Sequence, residues 1–108
     1  MNKRSKACDI SPRVKREVWV RDGGCCILCG NDYNVMPNAH YIPRSRGGLG
    51  IAENVVTLCT VGGCEGHRKF DQGSREERAE IREKIKEYLQ DIYPDWNENK
   101  LTYHKYDY

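Results

Sequence analysis

The chain has 108 residues, enough for one domain. Apolar residues make up only 38% and charged residues 31%, so any core is small and a metal staple would help it fold. No apolar run approaches the roughly 18 residues that a membrane span needs, and the start, MNKRSKACDI, lacks the apolar stretch of a signal sequence. The expectation is an intracellular protein away from the membrane, where thiols stay reduced. Six cysteines in such a setting argue for metal rather than disulfides. The net charge of +2 says little, but its distribution is uneven. Residues 1–21 carry seven basic groups against two acidic ones, Asp9 and Glu17, whereas residues 76–108 carry six against nine. A basic front suits phosphate contacts, and equally suits a solvated surface.

Residues 1–10 read as a disordered basic N-terminus. Ser11-Pro12 then reads as a helix start, with serine as N-cap and proline at the first helical position. Val14 and Val18, four apart, give that helix an inward stripe, and Arg13, Lys15, Arg16 and Arg21 leave the rest positive. Asp22-Gly23-Gly24 ends it. Residues 31–38 read as loop, residues 39–43 as a short strand, residues 44–50 as a glycine-rich turn and residues 54–58 as a second strand. A helix is expected to start near His67. Ser74 and Glu77 form a capping box, and Ile81, Ile85, Tyr88, Leu89 and Ile92 recur at helical spacing up to Pro94. Residues 11–94 are therefore taken as the domain. Residues 95–108 form an aromatic-rich tail with Trp96, Tyr103, Tyr106 and Tyr108, whose docking the pattern leaves open.

Cys26-x2-Cys29-Gly30 is a tight knuckle, and Cys59 and Cys64 form a second pair 30 residues later. Two such pairs can meet as a tetrahedral thiolate shell around zinc. Four thiolates leave no open position, so this metal would hold the fold and do no chemistry. The alternative is buried free thiols or a disulfide. Cys25 could stand in for Cys26, and Cys8 in the front reads as a bystander.

His40, Asn54 and His67 are spaced by 14 and 13 residues and interleave with the cysteine pairs. His67 and Asp71 lie four apart on one helix face and can hold one divalent cation with positions to spare. A neutral His40 beside them could take a proton from water. A base next to a metal is what phosphodiester hydrolysis needs. Singly, each group has a plainer reading: a core histidine, a helix-surface pair, a turn asparagine.

CILCG, AHYIPRSRGGLGIAENVVTLC and CEGHRKFD, in this order, resemble the HNH endonuclease family, as found in small phage and prophage proteins. The resemblance covers about residues 13–78 and implies an α+β, zinc-stapled ββα-metal (His-Me finger) core flanked by an N-terminal and a C-terminal helix. It implies His40 as general base, Asn54 as the brace of its loop, and His67 and Asp71 as ligands of a catalytic Mg²⁺, Mn²⁺, Ni²⁺ or Zn²⁺. Cys26, Cys29, Cys59 and Cys64 resemble the structural zinc ligands. Two positions depart from the family pattern. Ala39 stands where the family usually has a metal-binding Asp or His, and Glu65-Gly66 separates Cys64 from His67 where the usual step is adjacent.

The implied activity is a metal-dependent DNA endonuclease of low sequence specificity in a bacterial cell, acting alone, as a homodimer or with a phage or host protein. Arg44, Arg46, Arg68 and Lys69 are the expected phosphate contacts, with the helix from Arg13 to Arg21 along the duplex. The competing expectation is a zinc module that binds nucleic acid or a partner without cutting.

Overall fold

The computed structural model describes residues 3–104. Its elements are α1 (Lys3–Cys8), α2 (Pro12–Arg21), β1 (Val35–His40), β2 (Val55–Cys59), α3 (Gly66–Gln72) and α4 (Arg75–Ile92), an α+β arrangement around one antiparallel pair of strands. Short 3-10 turns occur at Arg44–Arg46, Ala52–Asn54 and Glu98–Lys100. Among the described residues no helix is long and apolar enough to cross a membrane.

The helix starts follow from side-chain caps. Ser11 Oγ accepts from the Val14 N–H at 3.2 Å, with Pro12 pre-set for the first turn. Ser74 and Glu77 cap α4 reciprocally: Glu77 N–H donates to Ser74 Oγ, and Ser74 N–H to Glu77 Oε1. The α4 stripe Ile81, Ile85 and Leu89 packs on Val56 and Leu58 of β2. Val55 instead meets Val18 of α2 and Ala52. β2, with the sequence VVTLC, is thus buried at every position and reads as a nearly continuous apolar run.

Asp22 joins α2 to this core. Its carboxylate is fully buried and accepts from Arg21, from the Thr57 N–H at 2.9 Å and from the Tyr88 hydroxyl at 2.6 Å. Arg21 also donates to the carbonyls of Ala52 at 2.6 Å and Val55 at 2.7 Å. A buried ion pair is tolerated when its remaining donors and acceptors are met in this way. Arg21 therefore belongs to the interior, not to the positive face expected of its helix. Arg13, Lys15 and Arg16 remain exposed.

β1 begins at Val35, earlier than the turn-rich sequence implies. Pro37 is the cause of the misreading. Met36 pairs with Leu58 and Ala39 with Val56, so Pro37 and Asn38 together oppose Thr57 in a bulge. A bulge is a place where a strand tolerates proline.

Residues 3–10 are ordered where disorder was expected, and residues 1–2 lie outside the described residues. The reason lies in backbone contacts that no side-chain pattern announces. α1 buries Cys8, Ala7 accepts from the Gly50 N–H at 3.0 Å, and Arg4 donates to the Ser45 carbonyl at 3.1 Å. Arg44 pairs with Asp9 at 2.5 Å. A Cβ at Gly50 would lie 2.0 Å from the Asp9 carbonyl oxygen, so this approach needs glycine. The tail docks as far as it is described. Trp96 meets the Tyr41 ring edge-on at 5.4 Å and donates to the Glu53 carbonyl at 2.8 Å, and Leu101 is buried. Tyr106 and Tyr108 lie outside the described residues.

Candidate functional site

The β ribbon carries a cluster of polar groups at each end. At the Val35–Cys59 end, the Sγ atoms of Cys26, Cys29, Cys59 and Cys64 all lie within 4.8 Å of one another. Cys26 and Cys64 are 3.6 Å apart and Cys29 and Cys59 3.5 Å apart. These separations are too long for a disulfide and close to the roughly 3.8 Å edge of a tetrahedron with zinc–sulfur bonds of about 2.3 Å. The Leu28 N–H points at Cys26 Sγ from 3.4 Å, and Asn31 Nδ2 at Cys59 Sγ from 3.7 Å, donors that favour thiolate. Burial pushes the Cys26 thiol up and Cys64 to about 12, while the Asn31 backbone N–H draws Cys29 down to about 7. Thiols kept neutral by burial ionise when a divalent cation binds. The donor set fits a metal ion such as zinc. Cys25 and Cys8 stay outside it.

At the other end, where His40 pairs with Val55, a cleft of about 250 Å³ is lined by His40, His67 and Asp71 together with Asn38, Arg44 and Arg82. His67 sits in the first turn of α3 and Asp71 one turn on. The Glu65-Gly66 insertion is absorbed at the start of that helix. Glu65 adopts a left-handed conformation with φ 53°, and Gly66 begins the helix against Leu28 and Cys64.

His40 Nε2 lies 2.9 Å from the carbonyl oxygen of Cys8. A carbonyl can only accept, so Nε2 carries the proton and Nδ1 keeps the lone pair. Burial lowers the His40 pKa from the ordinary value, as does the Arg44 charge, against the Cys8 hydrogen bond and Asp9, which raise it. The ring is therefore held neutral. Asn54, fully buried, spans the loop that follows His40. It accepts from the Ile42 N–H at 2.8 Å and donates to the carbonyls of Ile42 at 3.1 Å and Leu49 at 2.9 Å.

The expected phosphate contacts are unequal. Arg44 is paired with Asp9, and Arg68 with Glu65, both at the surface. Arg46 is exposed and has no ion pair among the described residues, and Lys69 is half-buried.

Two cleft residues escaped the sequence reading. Ala39 is only 3% exposed, packs in the core and forms part of the cleft wall. From the bulge beside it, Asn38 enters the cleft lining, and its Oδ1 is buried with no hydrogen-bond partner among the described residues. An orphaned buried acceptor is costly and is ordinarily met by an ordered water or an ion. Proline inside a strand was the available signal. Arg82 is the second residue. It reaches the cleft from α4, stacked between the rings of Tyr41 and Phe70 at 5.3 Å from each. Compared with protein-family models, with curated proteins and with solved structures, this chain finds no match.

Proposed function

We propose that the protein is a metal-dependent DNA endonuclease whose β1, β2 and α3 form a ββα-metal unit. The observation that carries this reading is the meeting of His40, His67 and Asp71 in one cleft, at the far end of the ribbon from a closed sulfur cluster. The sulfur cluster would hold zinc as a structural staple. His67, Asp71 and the orphaned Asn38 oxygen would hold a second divalent ion, Mg²⁺, Mn²⁺, Ni²⁺ or Zn²⁺. When bound, that ion would neutralise charge growing on the phosphate and the leaving oxygen.

The chain's own groups supply the rest. The Cys8 carbonyl fixes the His40 tautomer, and burial keeps the ring uncharged. Nδ1 takes a proton from water, and the hydroxide forms a bond to phosphorus. The bond from phosphorus to the 3′ oxygen breaks, leaving a 5′-phosphate, and that oxygen is protonated from solvent to a 3′-hydroxyl. Asn54 stiffens the loop at Ile42 and so the direction from which His40 acts.

Alanine at position 39 of the cleft wall, which leaves the family's extra ligand unsupplied, favours a second reading: a zinc module that binds nucleic acid without cutting it. Nicking of supercoiled plasmid with Mg²⁺, Mn²⁺ or Ni²⁺ separates the two. The endonuclease nicks and His40→Ala does not. Binding without nicking under every metal ion leaves the module.

A further inference from the structure

Beside the cleft lies a second, larger hollow of about 530 Å³, lined by Arg46, Arg75, Arg78 and Arg82. The two share Pro43 and Arg82 in their walls, so they adjoin. Arg75, Arg78 and Arg82 occupy positions i, i+3 and i+7 of α4, which sets them within about 60° of one another around the helix. Glu76, Glu80, Glu83 and Glu87 fall on the side opposite the apolar stripe. The helix is thus charge-segregated, although its net charge is slight.

Two further facts mark the arginine row as awaiting an anion. None of these four arginines has an ion pair among the described residues, whereas Arg44, Arg68 and Lys84 each do. Arg75 and Arg78 also stand at the start of α4, where the helix dipole disfavours a cation. The one carboxylate in the lining, Glu98, is engaged by the Tyr41 hydroxyl. The row from Arg75 to Arg82 is about 10 Å long, the length of about three base-pair steps at roughly 3.4 Å each.

We infer that this groove is a track for the phosphodiester backbone of duplex DNA, carrying the strand away from the cleft along α4. The inference rests on the DNA-binding part of the proposed function. The contacts are to phosphates, so the groove positions the duplex without reading its sequence.

The test is a fluorescence-anisotropy titration of a short DNA duplex over a range of salt, with zinc-loaded full-length His40→Ala protein so that the probe stays intact. The paired change Arg75→Gln with Arg78→Gln should reduce the slope of log K against log salt by about 2, at about 0.9 per lost phosphate contact. The same two positions changed to Lys should keep the parent slope, as should Lys84→Gln on the acidic flank. Circular dichroism and zinc content check that each variant is folded. An unchanged slope in the Gln pair overturns the groove. Absence of any duplex binding by the parent at low salt overturns the groove and the DNA reading together. A reduced slope alongside wild-type protein that nicks under no metal ion keeps the groove and removes the endonuclease.

Discussion

The two ends of the β ribbon follow opposite rules. At the Val35–Cys59 end four sulfurs converge on one another, and every donor there finds a companion within 4.8 Å. At the His40–Val55 end the donors are of mixed kind and incomplete: two imidazoles, one carboxylate and an amide oxygen with no partner among the described residues, around a cleft of about 250 Å³. A saturated set of ligands can hold an ion but leaves no position for water or phosphate. An unsaturated set gives up binding strength for room to react. On one ribbon, under the proposed function, what separates the staple from the reaction site is whether the polar atoms are already satisfied.

The sharpest break of this contrast is at the sulfur end. Cys59→Ala, or a strong chelator, should unfold the domain. The binding energy of a structural zinc is on the order of 10 kcal/mol, comparable with the whole stability of a domain this size. Mass spectrometry of the native protein should find one zinc per chain that survives dialysis. A chelated protein with an unchanged far-ultraviolet spectrum would refute the staple. At the other end, His40→Ala should leave zinc content in place and lower the melting temperature far less than Cys59→Ala, through the lost Cys8 hydrogen bond, while nicking falls about 10²- to 10⁴-fold.

Asn54→Ala tests whether the two ends are independent. It strands the Ile42 and Leu49 groups in the interior and should cost about 1–3 kcal/mol of stability, read from denaturant unfolding, with nicking reduced and zinc retained. A smaller effect is expected at the cleft's orphan. Asn38→Asp adds charge beside His67 and Asp71 and should tighten Mn²⁺ binding in calorimetry. Ala39→Asp places a carboxylate on the tightly packed wall of the same cleft and should tighten Mn²⁺ binding too, at the cost of a lower melting temperature.

The smallest effect concerns pH. A base works only when neutral, so nicking should fall as pH drops through a midpoint below the ordinary histidine value of about 6.5. Removing residues 1–10 uncovers the ring, and this relief of burial, the largest influence, should outweigh the loss of Cys8 and Asp9, which hold the pKa up, so the midpoint should move up towards that value. An unmoved midpoint would mean that the arm does not set the state of His40.

Local chemistry made much of this fold legible. Ser11-Pro12, the Ser74–Glu77 box and the cysteine spacings each act within a few residues, and their helices and cluster stand as expected. What stayed hidden depends on partners distant in sequence. The bulge at Pro37-Asn38 exists only against Thr57, and the order of α1 rests on main-chain atoms of residues 7 and 8. Arg21 looks like any basic helix residue until its partners across the core are known. The α4 arginines were obscured by counting charge rather than resolving its direction around the helix.

Gly50 gives this molecule a wedge point. A single methyl group there would drive against main-chain atoms of Asp9 and Ile10, which have no rotamer to yield. It would pry the amino-terminal arm from the loop without touching a sulfur ligand or a strand. Such a variant would report how far a short preceding segment, fastened mostly by peptide groups, governs the imidazole it covers.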